Sequence, residues 1–194
     1  MISFIDHVAV AVRDYEKARD FFTKIFGARP EVGAPDPGMG YFWHTYSLGS
    51  LSRFELLTPR GPKSFLDNFL SDREGGVHHI TMRTDSIVKA KERLEKFGVP
   101  YFGYNDRYSG WKELFIHPRD AFGVLIQIAE FIPDEWLSAD SKFPEGKKFS
   151  VEKTGDGALL RLAHPAGGAV EISLDNAEID ELYMELRKAV SARE

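Results

Sequence analysis

The chain contains no cysteine. Disulfides, thiol nucleophiles and thiolate ligands are therefore excluded, and any metal ion must be bound by histidine, carboxylate or amide groups. Positive charge is also scarce, because 25 Lys and Arg face 30 Asp and Glu. Without a basic stripe to neutralise phosphates, we expect no nucleic-acid partner. No apolar run reaches transmembrane length, and no basic region precedes the first one, so we expect no signal peptide, no membrane contact and a cytoplasmic location.

What the sequence does contain is typical of a soluble globular protein that buries a core. Apolar residues make up 43% of the chain and charged residues 28%. A length of 194 residues suits one domain with an appendage. We expect the domain to span 1–132, followed by a polar linker at 133–148 and an extension at 149–194.

A repeat of 72 residues organises the domain. The unit at about 3–60 reads as strand, helix and at least two strands, with room for another strand around 28–33. The order recurs at about 75–131, and a shift of 72 aligns His7 with His79. So long a period indicates a duplicated supersecondary unit. Between the units, apolar residues at helical spacing in 61–76 predict a bridging helix.

The extension predicts two or three short strands followed by an amphipathic helix. Asp175 and Glu178 are spaced as a capping box at the start of this helix. Its apolar face consists of Ile179, Leu182, Tyr183, Leu186 and Val190. A stripe of this size is too large to stay exposed. We therefore expect it to pack on its own strands, on the domain or on another subunit, and a homodimer is the favoured arrangement.

Two adjacent histidines open the second unit. Successive strand residues point to opposite faces, so at most one of the pair can face a given site. His79 shares a face with Thr81 and Arg83, whereas His78 lies with the apolar residues of the strand. The repeat also pairs His79 with His7. We therefore expect His79 to be functional, and His78 to be structural or to support its neighbour.

The last strand of each unit adds one more ligand-type residue. Glu55 and Gln127 face away from the apolar residues beside them, and each lies 48 positions after a histidine of its own unit. A lone histidine or glutamate on a strand is usually structural, but four ligand-type residues at equivalent offsets are not expected by chance. The set His7, Glu55, His79 and Gln127 predicts a site for one divalent cation, with positions left for water or substrate.

Four segments resemble the vicinal oxygen chelate (glyoxalase, bleomycin resistance, dioxygenase) superfamily, and within it the methylmalonyl-CoA epimerases. They are 5-IDHVAVAV-12, 54-FELLTP-59, 75-GGVHHI-80 and 117-HPRDAFGVLIQI-128. The resemblance implies an α+β fold in which two βαβββ units form a curved, cup-shaped mixed sheet around one ion of Co, Zn, Ni, Mn or Fe. To this fold the sequence adds a small C-terminal β-hairpin and helix. The epimerases generally offer His, Gln, His and Glu in chain order, so here the carboxylate has moved across the metal.

The resemblance also implies a reaction. It suggests a metal-dependent isomerase or epimerase that removes a proton alpha to a carbonyl, through a stabilised enolate of an acyl-CoA or small α-oxygenated acid. Glu55 and His44 are the candidate bases, Glu113 is a third, and Arg83 could pair with a substrate carboxylate or form an ordinary salt bridge at the rim. A glyoxalase-type lyase and a non-haem iron dioxygenase are the alternatives, and the complete ligand set disfavours a metal-free binding module.

Overall fold

The computed structural model describes residues 1–49 and 52–191, so the last three residues of the predicted extension lie outside the described residues. The helices and strands, in chain order, are β1 (Ile2–Val12), α1 (Tyr15–Asp20), β2 (Arg29–Asp36), β3 (Tyr41–Leu48), β4 (Ser52–Pro59), β5 (Gly75–Thr84), α2 (Ile87–Lys96), β6 (Phe102–Tyr108), β7 (Trp111–Ile116), β8 (Ile126–Glu130), β9 (Phe149–Lys153), β10 (Gly157–Ala163), β11 (Ala169–Asp175) and α3 (Asn176–Ser191). A π-helical turn, Phe21–Ile25, continues α1. This order confirms the α+β class and the two βαβββ units.

The two units form one eight-stranded mixed sheet. Its strand order is β2-β3-β4-β1-β5-β8-β7-β6, with β1 and β5 antiparallel at the centre. Each first strand runs parallel to the last strand of its own unit, β1 to β4 and β5 to β8. From the centre, the first half runs β1-β4-β3-β2 and the second half runs β5-β8-β7-β6. Corresponding strands of the two units therefore occupy equivalent places, as expected for a duplicated unit. The sheet curls strongly into a half-barrel, which confirms the predicted cup.

The two helices fix which face of the sheet is which. In the first unit, Phe22, in the turn that continues α1, packs on Phe54 and on the cluster that also contains Leu56 and Tyr46. In the second unit, Ile87 and Ala90 of α2 pack on one face of β7 and β8. Since strand neighbours alternate, the residues between these apolar positions project to the opposite, concave face. The concave face is where the sequence predicts the metal ligands.

The connection between the units is a series of turns, so the predicted bridging helix is wrong. Backbone bonds from Asp67 to Ser64 and from Ser71 to Asn68 span three residues, and the four-residue bond from Leu70 to Leu66 is not continued into a regular helix. Leu66 and Leu70 are nevertheless fully buried. They pack against alanines of β1 and Leu57 of β4, and so cover one end of the concave face.

Residues 133–141, which we call the strap, pack onto the domain. Two short 3-10 turns place Trp136 against Trp43 of β3 and Trp111 of β7, with ring centroids 5.6 and 4.7 Å apart. Glu31 of β2 holds the far end, because it accepts hydrogen bonds from the Ser138 backbone and, through its other oxygen, from the Ser141 hydroxyl. The strap therefore links strands from the two units, where the sequence suggested only a polar linker.

The extension is a three-stranded antiparallel sheet followed by α3, one strand more than a hairpin. The predicted capping box is present, since Asp175 and Glu178 exchange backbone-to-carboxylate hydrogen bonds of 2.9 Å. The apolar face of α3 remains largely exposed within the chain, with Leu186 at 59% and Val190 at 66%. No helix in the described part of the chain combines the length and apolarity needed to cross a membrane.

Candidate metal site

His7, Glu55 and His79 meet on the concave face of the sheet. One carboxylate oxygen of Glu55, Oε2, lies 3.6 Å from Nε2 of His7 and 3.8 Å from Nε2 of His79. One ligand-type atom from each residue lies within 4.8 Å of the others. Both imidazoles are buried, and the Glu55 side chain is only 12% exposed. The arrangement brings three of the four sequence-predicted ligands together around one point.

A β-bulge precedes each histidine. The pairing of β1 with β5 skips Asp6 on one strand and His78 on the other, and these two residues are 72 positions apart. A bulge re-aims the side chain of the extra residue. As a result, Nδ1 of His7 donates to Asp6 at 2.7 Å, and Nδ1 of His78 lies 3.0 Å from Nδ1 of His79. His78 therefore contacts its neighbour His79 and the rings of Phe65 and Phe69.

Asp6 is itself held by Arg53. The guanidinium of Arg53 donates to the second carboxylate oxygen of Asp6, and both side chains are only 7% exposed. Ligand histidines in metal sites usually donate their other ring nitrogen to a carboxylate or carbonyl, which orients the ring and raises its basicity. The series Arg53, Asp6, His7 has this form.

Gln127, the fourth predicted ligand, lies beside the cluster in a hydrogen-bond network. Its Oε1 accepts from the Thr81 hydroxyl at 2.6 Å, and its Nε2 donates to Oε2 of Glu113 at 2.7 Å. Thr81 Oγ1 also lies 2.9 Å from Nε2 of His7, and Trp111 donates to Glu113 at 2.8 Å. The network therefore connects the cluster to a second carboxylate, that of Glu113 on β7.

The electrostatics of the cluster suit a cation. Burial by itself would lower the pKa of His7, but hydrogen bonds and charges of Asp6 and Glu55 outweigh it and raise that pKa to about 9. Burial lowers the pKa of His79 to about 4, so His79 is neutral at pH 7. Among the described residues, its buried Nε2 has no hydrogen-bond partner. A neutral imidazole with a buried, unpartnered ring nitrogen beside a carboxylate suits a metal ligand, and the donor set fits a divalent ion.

The structure does not bring His44 to this cluster. On β3 it pairs with Leu56, on the face that packs against α1, whereas Glu55 projects from the other face. Its Nδ1 lies 2.6 Å from the hydroxyl of Tyr15 and 3.0 Å from that of Tyr46. Burial lowers the pKa of His44. The sheet itself separates this histidine from the metal cluster.

Arg83 begins on the concave face but turns to the rim. Its guanidinium pairs with Asp85, lies 3.2 Å from the Ser3 hydroxyl and reaches the carbonyl of Phe131 at 3.4 Å. Arg83 therefore forms an ordinary salt bridge at the rim, which was the alternative to a contact with a substrate carboxylate. Asp6, Arg53, Thr81 and Trp136 were not singled out from the sequence as site residues. Two of them carried a signal, since Thr81 shares a strand face with His79 and Arg53 shares one with Glu55.

Comparisons with known proteins agree with this fold. A family model described as the Glyoxalase/Bleomycin resistance protein/Dioxygenase superfamily matches residues 6–115. A mitochondrial methylmalonyl-CoA epimerase from Homo sapiens is 34% identical over 129 residues, which is 65% of this chain and 73% of that protein. An ethylmalonyl-CoA/methylmalonyl-CoA epimerase from Cereibacter sphaeroides is 35% identical over 67% of this chain and 99% of its own length.

A solved structure shows the same likeness. The crystal structure of methylmalonyl-CoA epimerase from Mycobacterium tuberculosis aligns with a TM-score of 0.61 and 27% identity, covering 68% of this chain and 90% of that one. About a third of the present chain has no counterpart in these relatives. The family match, the identities and the cup-shaped sheet together show that the chain belongs to the glyoxalase/bleomycin resistance/dioxygenase superfamily, close to its methylmalonyl-CoA epimerases.

Proposed function

We propose that the protein is a metal-dependent epimerase that exchanges the proton alpha to the thioester carbonyl of an acyl-CoA, as methylmalonyl-CoA epimerases do. The observation that carries the proposal is the buried Nε2 of His79, which has no hydrogen-bond partner in the described part of the chain and lies 3.8 Å from Glu55, beside His7. The similarity to epimerases over about two thirds of the chain supports the substrate class.

The ligands in this proposal are His7, Glu55 and His79, with the amide oxygen of Gln127 as the fourth. A divalent ion bound there supplies positive charge that stabilises negative charge developing on a substrate oxygen. Asp6 orients the imidazole of His7 and His78 orients that of His79, each by contacting Nδ1 of the ligand histidine. The ion expected is one of Co, Zn, Ni, Mn or Fe, since the donors are nitrogen and oxygen only.

We propose Glu113, on β7 of the second unit, as the base. Glu55, on β4 of the first unit, is the second carboxylate of the site. Glu113 accepts hydrogen bonds from Gln127 and Trp111, and both end on Oε2. These bonds fix the position of the carboxylate. Its other oxygen, Oε1, accepts no hydrogen bond from the described residues. A positioned carboxylate of this kind can remove or return a proton. Epimerisation needs proton transfer on two faces of one carbon, and two carboxylates from opposite halves of the cup meet that need. His44 has no part in it.

Two other reactions use a similar site. A glyoxalase-type lyase usually has two carboxylate ligands, and a non-haem iron dioxygenase has two histidines and one carboxylate. The similar proteins of known activity reported above are epimerases, which favours proton exchange over both.

Proton exchange is tested directly in deuterated water. We expect the protein to introduce deuterium at C2 of methylmalonyl-CoA without consuming oxygen, as followed by NMR and an oxygen electrode. His79→Ala should abolish the exchange, whereas the matched control His44→Asn, on the opposite face of the sheet, should retain it. Oxygen uptake in proportion to substrate loss would establish the dioxygenase instead, and loss of exchange in both folded variants would remove the basis for the site.

A further inference from the structure

A groove of about 680 Å³ lies between the first unit and the C-terminal extension. The first unit contributes Arg29 and Arg53, the residues after the strap contribute Lys142, and the extension contributes Arg161 and the Gly167–Gly168 turn. Cavities that bind small molecules and cofactors typically have volumes of about 300–1,000 Å³. The groove is therefore large enough for a nucleotide-sized ligand and much larger than a single small anion needs.

The charges that line the groove favour an anion. Four cationic side chains face two carboxylates, Asp140 and Glu171. Arg161 is paired with Glu171, and Arg53 with Asp6. Among the described residues, this leaves Arg29 and Lys142 as the lining cations without an ion pair, against Asp140 as the lining carboxylate without one. A positive groove on a chain with a net charge of −5 concentrates anionic ligands at that place.

The groove comes close to the metal site at Arg53, although His7, Glu55 and His79 do not line it. Arg53 lies two residues before Glu55 on the same face of β4, a separation of about 7 Å at the usual rise of a strand. Arg53 also contacts Asp6, which in turn contacts His7. The thioester arm of an acyl-CoA held in the groove would therefore need to cover only a short distance to reach the cluster.

We propose that the groove binds the phosphate-bearing nucleotide of the acyl-CoA substrate, with Arg29 and Lys142 contacting its phosphates. This rests on the proposed function, because it assigns a place to the part of the same substrate that does not react. The extension lies outside residues 6–115, the segment that matches the family model. One wall of the groove is accordingly a feature that this chain adds to the shared fold.

The test is calorimetric titration of the complete protein with CoA itself, which requires no turnover. Arg29→Gln and Lys142→Gln should each weaken CoA binding about 10-fold, the usual effect of losing one hydrogen bond to a charged group. Lys153→Gln, an exposed residue of β9 outside the groove, is the charge-matched control and should bind CoA as the parent protein does. Unchanged affinity in both groove variants overturns the proposal.

Kinetics separate this inference from the proposed function. The groove variants should raise KM for an acyl-CoA at constant kcat, and should leave exchange of the corresponding acyl-pantetheine, which lacks the nucleotide, unaffected. If the parent protein exchanges the α-proton but the variants behave like it, the groove assignment alone is wrong. If CoA binding depends on Arg29 and Lys142 but no thioester is exchanged, the groove stands and the epimerase proposal fails.

Discussion

Replacing Asp6 with Asn tests whether the β-bulges of the central strands support metal binding. Asp6 lies 2.7 Å from Nδ1 of His7, and against the effect of burial this hydrogen bond makes the largest single contribution to the raised pKa of that histidine. The asparagine keeps the shape but removes the charge. Loss of such an outer partner typically weakens metal affinity 10–100-fold, or about 1.4–2.7 kcal/mol. We expect this loss for Asp6→Asn, with one ion still bound at saturation.

The assay is titration of the metal-stripped protein with Zn²⁺ against a competing chelator. His78→Ala provides the matched comparison, because His78 occupies the equivalent bulge but carries no carboxylate. Its effect should be smaller than that of Asp6→Asn. The Asn variant also removes the charged partner of buried Arg53, so its folding is checked first by circular dichroism. An unchanged affinity in folded Asp6→Asn, or a larger loss in His78→Ala, would refute the reasoning.

Three further predictions follow from the same structure. Glu113→Gln should slow α-proton exchange about 10²–10⁴-fold, the usual contribution of a general base, while metal analysis still finds one ion per chain; a rate within tenfold of the parent would remove its role. Glu31 is partly buried, which opposes ionisation, but hydrogen bonds from Ser47, Ser138 and Ser141 lower its pKa. The ionised carboxylate therefore stabilises the fold above pH 4.5, the ordinary pKa, and this contribution is lost as the pH falls below that value. The free energy of unfolding in urea should accordingly change less between pH 6 and 3.5 for Glu31→Gln than for the parent. An equal change in both proteins would contradict this. If the exposed face of α3 forms the expected homodimer, sedimentation velocity should find a dimer that Leu186→Lys dissociates, whereas a monomeric parent would exclude that arrangement.

The positions of the candidate ligands could be predicted from the sequence because two simple regularities coincide. The alternation of strand residues assigns His79 and Glu55 to a face, and the period of 72 applies the same assignment to His7 and Gln127. Each regularity depends only on backbone geometry and duplication, so neither needs knowledge of the packing. The order of the sheet follows from the same duplication.

Features that break the alternation could not be predicted in this way. The bulges at Asp6 and His78 shift the register by one residue, and no composition signal marks them. His44 lies in the segment 41-YFWHTYSL-48, whose two faces are both rich in aromatic residues, so its pattern does not say which face is concave. Trp136 lies in a polar segment that resembles a linker, and only the distant partners Trp43 and Trp111 explain why it packs.

The most direct test of the account is to measure α-proton exchange while the stripped protein is reloaded with metal. Deuterium incorporation into methylmalonyl-CoA should be absent without metal, rise in proportion to added divalent ion and level off at one equivalent per chain. His79→Ala should show no such rise, because it lacks the imidazole whose Nε2 is unpaired in the cluster. Exchange at the full rate in metal-stripped protein, or the same reloading curve in His79→Ala, would contradict the assignment of His7, Glu55 and His79 as the functional metal site.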